Sequence, residues 1–355
     1  MEESTPNLGK LSKNVFESVI YPRLGAVRPE VVVGPSAGVD TCAINVAGGE
    51  VLVATTDPMS YIPEIGPVDS AWLSVNLIAS DLVTSSFRPQ YAIFDLNLPP
   101  NMSSEDFQTY WNAISDECRE LGIAIVAGHT GKFEGCNYTV VGGGTMLSIG
   151  SSQRYLSSKG GSPGDKLIVT KGAAIAATGI LSRVFQNYVK SNTDAKIARR
   201  GAEYFRKITV VEDALTASGA GARSNGVTAM HDTTEGGVLS ALYEIASASS
   251  TGLLVEKERI PISEETRSIC ELFKIDPLRS VGEGALVIAC QPAYVANVIS
   301  ALDAKGIACS IVGELRSQEY GLKLFDETGS ENTIEYPVTD PYWNAYYLAM
   351  KNNLD

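Results

Sequence analysis

The sequence contains no G-x-x-x-x-G-K-[ST] run, no G-x-G-x-x-G after a strand, no G-x-S-x-G and no H-E-x-x-H. Those absences exclude a Walker-type phosphate loop, a dinucleotide fingerprint, a hydrolase nucleophile elbow and a helical zinc-protease motif. A nucleotide site, if there is one, is built another way. No apolar run approaches the ~20 residues that a membrane helix needs. The polar, acidic start MEESTPNLGK is no signal peptide. Six cysteines are present, none in a C-x-x-C pair, so neither a zinc knuckle nor a disulfide framework is expected. Reduced thiols packed as small apolar residues in a cytoplasmic protein fit this usage. Positive charge is also short: Lys and Arg number 28 against 41 Asp and Glu, a net charge of −13. That excludes a general nucleic-acid binder, which needs a basic stripe. It also means that a phosphate ligand would need a metal ion to screen nearby carboxylates.

What is there suits a compact α/β enzyme. Hydrophobic residues make up 44% of the 355, charged residues only 19%, and there are 33 glycines. That length allows two domains. Apolar residues at helical spacing predict a helix over Lys10–Leu24, closed by Pro22 and Gly25. Short strands follow at 31–33, 40–46 and 51–56, the last two joined through Gly48-Gly49. Helices are predicted at 67–86 and 104–121, and strands at 91–98, 123–127 and 138–149. The densest Gly/Ser/Pro stretch, GSSQRYLSSKGGSPG, marks a domain boundary. Beyond it the alternation restarts, with strands at 166–170, 227–231, 252–256, 285–289 and 309–313. Helices fall at 173–189, 195–207, 210–219, 235–249 and 292–305. The aromatic-rich tail from Tyr336 reads as a terminal helix. The expected division is an arm and helix (1–27), an N-terminal domain (28–150), a linker (151–163), a C-terminal domain (164–335) and a C-terminal helix (336–355).

Candidate chemistry lies in acids at element ends and in the only two histidines. Asp40 stands at a loop-to-strand junction, Asp57 ends VLVATTD before Pro58, and Asp81 lies in the helix LIASDL among Ala79, Leu82 and Val83. Singly, each is ordinarily a cap, a turn residue or a solvated acid. Converging, they make a hard oxygen site of the kind that suits Mg²⁺. His129 follows the apolar run IAIVA between Gly128 and Gly131, where a ligand could approach the backbone closely. The plainer alternative is a histidine capping a turn. His231 repeats the pattern in HDTTEGG, where Gly236-Gly237 opens a helix whose amides could hold an anion. Simple capping by Thr233 or Thr234 explains the same segment.

Taken in order, GVDTCAI, VLVATTDPM, LIASDL followed by RPQYAIF, GIAIVAGHTG, GDKLIVTK, HDTTEGG and SVGEGALV resemble the aminoimidazole-ribonucleotide (AIR) synthetase superfamily, from about Gly9 to Glu314. The superfamily includes selenophosphate synthetase, thiamine-monophosphate kinase and the hydrogenase-maturation dehydratase HypE. The opening GKLSKNVFESVIYPRLG is similar to the HypE-like branch. The resemblance implies a PurM-like two-domain α+β/α/β fold, with an N-terminal mixed domain that forms a β-barrel across a homodimer and a C-terminal α/β domain. It implies ATP and Mg²⁺ held by Asp40, Asp57 and Asp81, with Gly128 and Thr130 flanking His129 where HypE-type members carry Gly-Asp-Thr. It also implies a substrate and phosphate loop at His231-Asp232 and Gly236-Gly237, and a nucleotide contact from Lys10. Two departures are visible: HypE ends in a Pro-Arg-Ile-Cys tail where this sequence ends KNNLD, and selenophosphate synthetases carry an N-terminal Cys or selenocysteine where residues 1–30 hold none. Neither of those two reactions is expected by its known route.

The expectation is therefore an ATP- and Mg²⁺-dependent enzyme that phosphorylates an amide or carbonyl oxygen of a small molecule, with His129, His231 and Asp232 as catalytic groups. Two rivals stand beside it: a non-catalytic nucleotide-binding dimer, and a metallohydrolase built on both histidines and an aspartate. No nucleic-acid or membrane partner is expected.

Overall fold

The computed structural model describes residues 9–11, 13–336 and 339–355. Residues 1–8, Ser12 and the tail positions 337–338 lie outside them, so the reading of the first eight residues as no signal peptide is not addressed. The chain forms two units, one of Pro29–Gly34 with Asp40–Tyr155 and one of Met1–Arg28, Pro35–Val39 and Leu156–Asp355. The crossing at Tyr155–Leu156 falls inside the Gly/Ser/Pro stretch. The N-terminal arm is counted with the C-terminal unit. It holds a single helical turn, α1 (Lys13–Val15), which loosens and then tightens before ending at Arg23.

The N-terminal unit is a six-stranded sheet covered on one face by two helices. Its strands are β1 (Val31–Val33), β2 (Cys42–Asn45), β3 (Glu50–Ser60), β4 (Tyr91–Leu98), β5 (Ala124–Lys132) and β6 (Val140–Ser151). They lie in the order β1-β2-β3-β6-β4-β5, with only β4 and β5 parallel. The helices are α2 (Gly66–Val83), with Pro67 in its first turn, and α3 (Ser104–Leu121), capped by the Ser103 side chain on the Asp106 amide. Period-two burial along β3 and β4 sends Val51, Val53, Ala92, Phe94 and Leu96 under Val75, Ile78, Ala79 and Leu82 of α2. The opposite face carries Leu52, Tyr91, Ile93, Leu147 and Ile149 with no layer of the described residues over it, and the strand order runs from β1 at one edge to β5 at the other.

The C-terminal unit is built on a seven-stranded mixed sheet ordered β13-β12-β9-β11-β7-β10-β8. Its strands are β7 (Lys166–Thr170), β8 (Val227–Asp232), β9 (Gly252–Glu256), β10 (Leu286–Cys290), β11 (Cys309–Arg316), β12 (Leu322–Phe325) and β13 (Glu331–Thr333). The helices are α4 (Ile175–Val184), α5 (Gln186–Asn192), α6 (Ala195–Glu203), α7 (Val211–Gly219), α8 (Gly237–Ala248), α9 (Glu264–Phe273), α10 (Val295–Ala304) and the terminal α11 (Pro341–Lys351). The core joins Leu167, Val169, Val287 and Val312 of the sheet to Val238, Leu242 and Ile245 of α8. The helix expected over 173–189 is interrupted at Phe185, whose φ −108, ψ 47 is not helical. The six cysteines are all free thiols, three of them buried. No helix of the described residues is long and apolar enough to cross a membrane.

Phe94 is 1% exposed and among the largest fully buried side chains. Phe94→Ala is expected to cost about 3–5 kcal/mol of N-terminal unit stability in urea unfolding. A loss under about 1 kcal/mol would contradict the packing described.

Candidate functional site

In the N-terminal unit the three acids gather on one side of the sheet. The Thr55 hydroxyl, on the helix-covered face of β3, lies 2.9 Å from the Asp40 carbonyl oxygen and 2.9 Å from Asp81 Oδ2. One short side chain thus ties the start of β2, the middle of β3 and the last turn of α2. Asp57 stands two residues beyond Thr55 on the same strand, hence on the same face. All three aspartates are half-buried. Their carboxylate oxygens do not all lie within 4.8 Å of one another, so a cation among them would need phosphate or water oxygens to complete its shell. Asp81 occupies a helix end where the backbone dipole is negative, and the last turn of α2 carries no basic residue. A carboxylate there raises the local negative potential, and hard oxygen donors in such a field fit Mg²⁺.

His129 falls elsewhere. The strand expected to stop at Ala127 continues to Lys132, because β5 pairs in parallel with β4 as far as Leu98↔Lys132. The segment expected to be buried is an exposed sheet edge. Asp57 shares a row with Gly144, Phe94 and Gly128 on the helix-covered side, whereas His129 aligns with Asp95 and points to the open side. Three strand spacings, about 14 Å, also separate β3 from β5. The chain by itself therefore does not bring His129 to the acids. Its ring stacks against Phe133, 6.2 Å between centroids. Gly128 has a packing reason: a Cβ there would lie 2.5 Å from the Phe94 carbonyl oxygen.

In the C-terminal unit, β8 delivers His231 and Asp232 to its end, both buried, at 4% and 2% exposure. His231 Nε2 lies 3.0 Å from Oε2 of Glu244 on α8. The turn between them uses left-handed glycines, Gly236 at φ 80° and Gly237 at φ 65°. Lys10 grips that turn twice: its amide donates to Glu235 Oε2 at 2.6 Å and its Nζ to Thr234 Oγ1 at 2.8 Å. The helix-start amides that the sequence offers to an anion are engaged here. Gly236 N donates to Asp340 Oδ2 at 2.7 Å, and Gly237 N to the Thr234 carbonyl at 3.1 Å. An anion at Gly236 would have to replace a carboxylate supplied by the chain itself.

Four functional groups here escaped the sequence reading: Glu244, Glu283, Tyr336 and Asp340. Glu283 lies in the loop that packs against the Thr233–Gly237 turn, where Gly282 N donates to the Thr234 carbonyl at 3.1 Å. Burial raises its carboxyl well above the usual range, and Glu235 and Asp232 add to that rise against its own backbone hydrogen bond and Lys10. The only sequence signal for Glu283 is an acid between two glycines, GEG, just before an apolar strand. A two-histidine metal site finds no support, since His231 gives Nε2 to Glu244 and His129 stands on an open sheet face.

Residues 38–149 match the family model described as AIR synthase related protein, N-terminal domain, and residues 162–323 match AIR synthase related protein, C-terminal domain. The chain belongs to the AIR synthase-related family. It is 25% identical over 348 residues to a candidate hydrogenase expression/formation protein of Methanocaldococcus jannaschii, covering 94% of this chain and 96% of the other. It is 26% identical over 309 residues to the carbamoyl dehydratase HypE of Rhizobium leguminosarum bv. viciae, covering 84% and 83%. A structure of hydrogenase maturation protein HypE in complex with ATP matches with a TM-score of 0.66 at 17% identity, over 94% of this chain and 97% of that one. The PurM-like two-domain fold implied by the AIR synthase-related motifs is the fold observed.

Burial raises the Asp340 carboxyl from 3.8 to about 6, although the amides of Gly236, Tyr342 and Val281 pull it down. A carboxyl whose pKa rises on folding contributes stability that is whole below the unfolded value and is lost as pH climbs through the folded one. Asp340→Asn, which cannot ionise, is expected to be less stable than the wild type, with a gap that narrows from pH ~4 to pH ~7. Urea unfolding of both proteins across that range checks this; a gap constant with pH contradicts it.

Proposed function

We propose that this AIR synthase-related protein is an ATP- and Mg²⁺-dependent enzyme that phosphorylates an amide or carbonyl oxygen of a small substrate. The observation that carries the reading is the Thr55 hydroxyl bridging the Asp40 main-chain carbonyl oxygen and the Asp81 carboxylate, with Asp57 on the same face, in a chain without a phosphate loop. The ATP complex of the HypE structure and the carbamoyl dehydratase name of the Rhizobium relative point the same way. Asp40, Asp57 and Asp81 would hold Mg²⁺ through carboxylate oxygens. Magnesium, when bound, supplies charge neutralisation on the triphosphate. Lys10, with the Thr234–Gly237 turn, would serve the phosphate side of the acceptor half. In the transfer the acceptor oxygen bonds to the γ-phosphorus as the bond to the β-bridging oxygen breaks and ADP leaves. For an amide acceptor, the N–H proton lost in that step passes to a base, for which His231 is the candidate. Glu283, whose carboxyl burial raises, is the candidate acid for the departure of the phosphorylated oxygen. Asp232, buried beside His231 in the chain, is the acid whose negative charge favours a cationic neighbour.

The open sheet face suggests the quaternary state. Leu52, Tyr91, Ile93, Leu147 and Ile149 form an apolar surface on that face. A second copy laid on it would complete the barrel that the family resemblance implies. His129, Gly128 and Thr130 would then act, if they act, from the neighbouring copy rather than beside their own chain's aspartates.

Calorimetric titration with Mg²⁺–ATP tests the metal assignment. Asp57→Asn and Asp81→Asn should each weaken binding by about tenfold or more, roughly 1.4 kcal/mol. Wild-type affinity in both, or no binding by the wild type at millimolar ATP, rules the site out. Sedimentation equilibrium tests the pairing: the wild type should be a dimer, and Ile93→Asp should turn it into a folded monomer. A monomeric wild type disposes of that part.

A further inference from the structure

Helix α8 is apolar where it meets the sheet, with Val238, Ala241, Leu242, Ile245 and Ala246 each 1% exposed or less. Glu244 lies in the same stretch and is itself only 7% exposed. An unpaired carboxylate there would be costly, several kcal/mol in order of magnitude. Its surroundings compensate in three ways. His231 Nε2 lies 3.0 Å from Oε2, the nearby Tyr336 hydroxyl favours the ionised carboxylate, and the Lys10 ammonium adds positive charge. Burial alone would push this carboxyl up, but those donors and charges outweigh it and hold it below the ordinary value. The turn of α8 that bears Glu244 is braced from behind: a Cβ on Gly38, whose φ is +71°, would lie 2.8 Å from the Glu244 carbonyl oxygen and 2.9 Å from its Cβ. The carboxylate is ionised, enclosed and fixed in direction.

An ionised carboxylate only accepts hydrogen bonds, whereas a neutral imidazole donates from one nitrogen and accepts at the other. The contact at Nε2 therefore dictates where the ring keeps its proton. We infer that Glu244 is a positioning residue: it takes Nε2 of His231, fixes the direction of the ring and keeps the ring proton on Nε2. Tyr336 is the outer member of the arrangement, a donor that occupies the carboxylate without competing for the ring. This inference rests on the assignment of His231 to the acceptor half of the proposed reaction and supplies what that assignment leaves open, the orientation and tautomer in which the ring is held.

The ring proton can be read directly. The chain has two histidines, so imidazole ¹⁵N spectra of the full-length protein hold two ring systems, and His129→Gln removes one of them. In the neutral state the remaining ring should show the Nε2–H tautomer. Glu244→Gln, whose amide can donate as well as accept, should shift it to a mixture or to the Nδ1–H form. Tyr336→Phe loosens the same pocket but keeps the carboxylate, and should leave the tautomer unchanged. An Nδ1–H ring in the wild-type background overturns the inference, as does a Glu244→Gln ring identical to wild type. If Glu244→Gln does not fold, the wild-type tautomer still decides. In turnover, Glu244→Gln should lower kcat about tenfold or more with KM for ATP nearly unchanged. Absence of any ATP-dependent turnover in the wild type would count against the proposed function while leaving the spectroscopic result standing.

Discussion

A carboxylate withdrawn from water needs a proton, a donor or a cation, and most of what is distinctive in this protein follows from that requirement. The chain carries 41 acids against 28 bases and encloses several of the acids within its two units. Each is handled differently. Asp81 meets the Thr55 hydroxyl at the negative end of a helix and invites a metal ion. Glu244 stays charged because a histidine, a tyrosine and a lysine surround it. Burial drives the Glu283 carboxyl well above its ordinary range. Asp340 accepts backbone amides at the starts of two helices, Gly236 before α8 and Tyr342 in α11. Four environments hold one functional group in four ways, beside a hydroxyl, among donors, in apolar burial and across two helix starts, and each shifts its proton balance differently.

Where local chemistry and packing agree, the sequence was legible. Strand β4 and helix α3 fall at the expected residues, because alternating burial, the Ser103 cap and the apolar stripe all point to one answer. Asp40 stands before β2 as expected, but Asp57 does not end its strand, which continues through Pro58 to Ser60. The Asp40 carbonyl oxygen and the Asp81 carboxylate do meet, through a threonine that no spacing rule singles out. His129 was misjudged for a physical reason. The glycines around it suggest a chain break, but a parallel neighbour supplies the hydrogen bonds that keep GHTG extended, and Gly128 is small because the Phe94 carbonyl oxygen comes close. In a strand the face alternates at every residue, so placing a side chain one position off reverses where it points.

Other features were hidden because their partners are remote. Glu244 reads as an ordinary helical residue until Tyr336 and Lys10 are seen beside it, and Asp340 as a simple cap until Gly236 is found at its other oxygen. Helix α9 and strands β12 and β13 went unread too: the strands span four and three residues, too few for periodicity to show.

The turn that follows His231 is where the two extremities of the described chain come together. Lys10 holds it from one side, Asp340 takes its glycine amide, and a Cβ on Gly9 would come within 2.8 Å of the Trp343 indole nitrogen. Neither terminus is thus a passive appendage. A purification tag fused close to residue 9, or a deletion begun at residue 339, would be felt at the centre of the C-terminal unit, and a circular permutant that joined the two ends would need a linker routed around that turn.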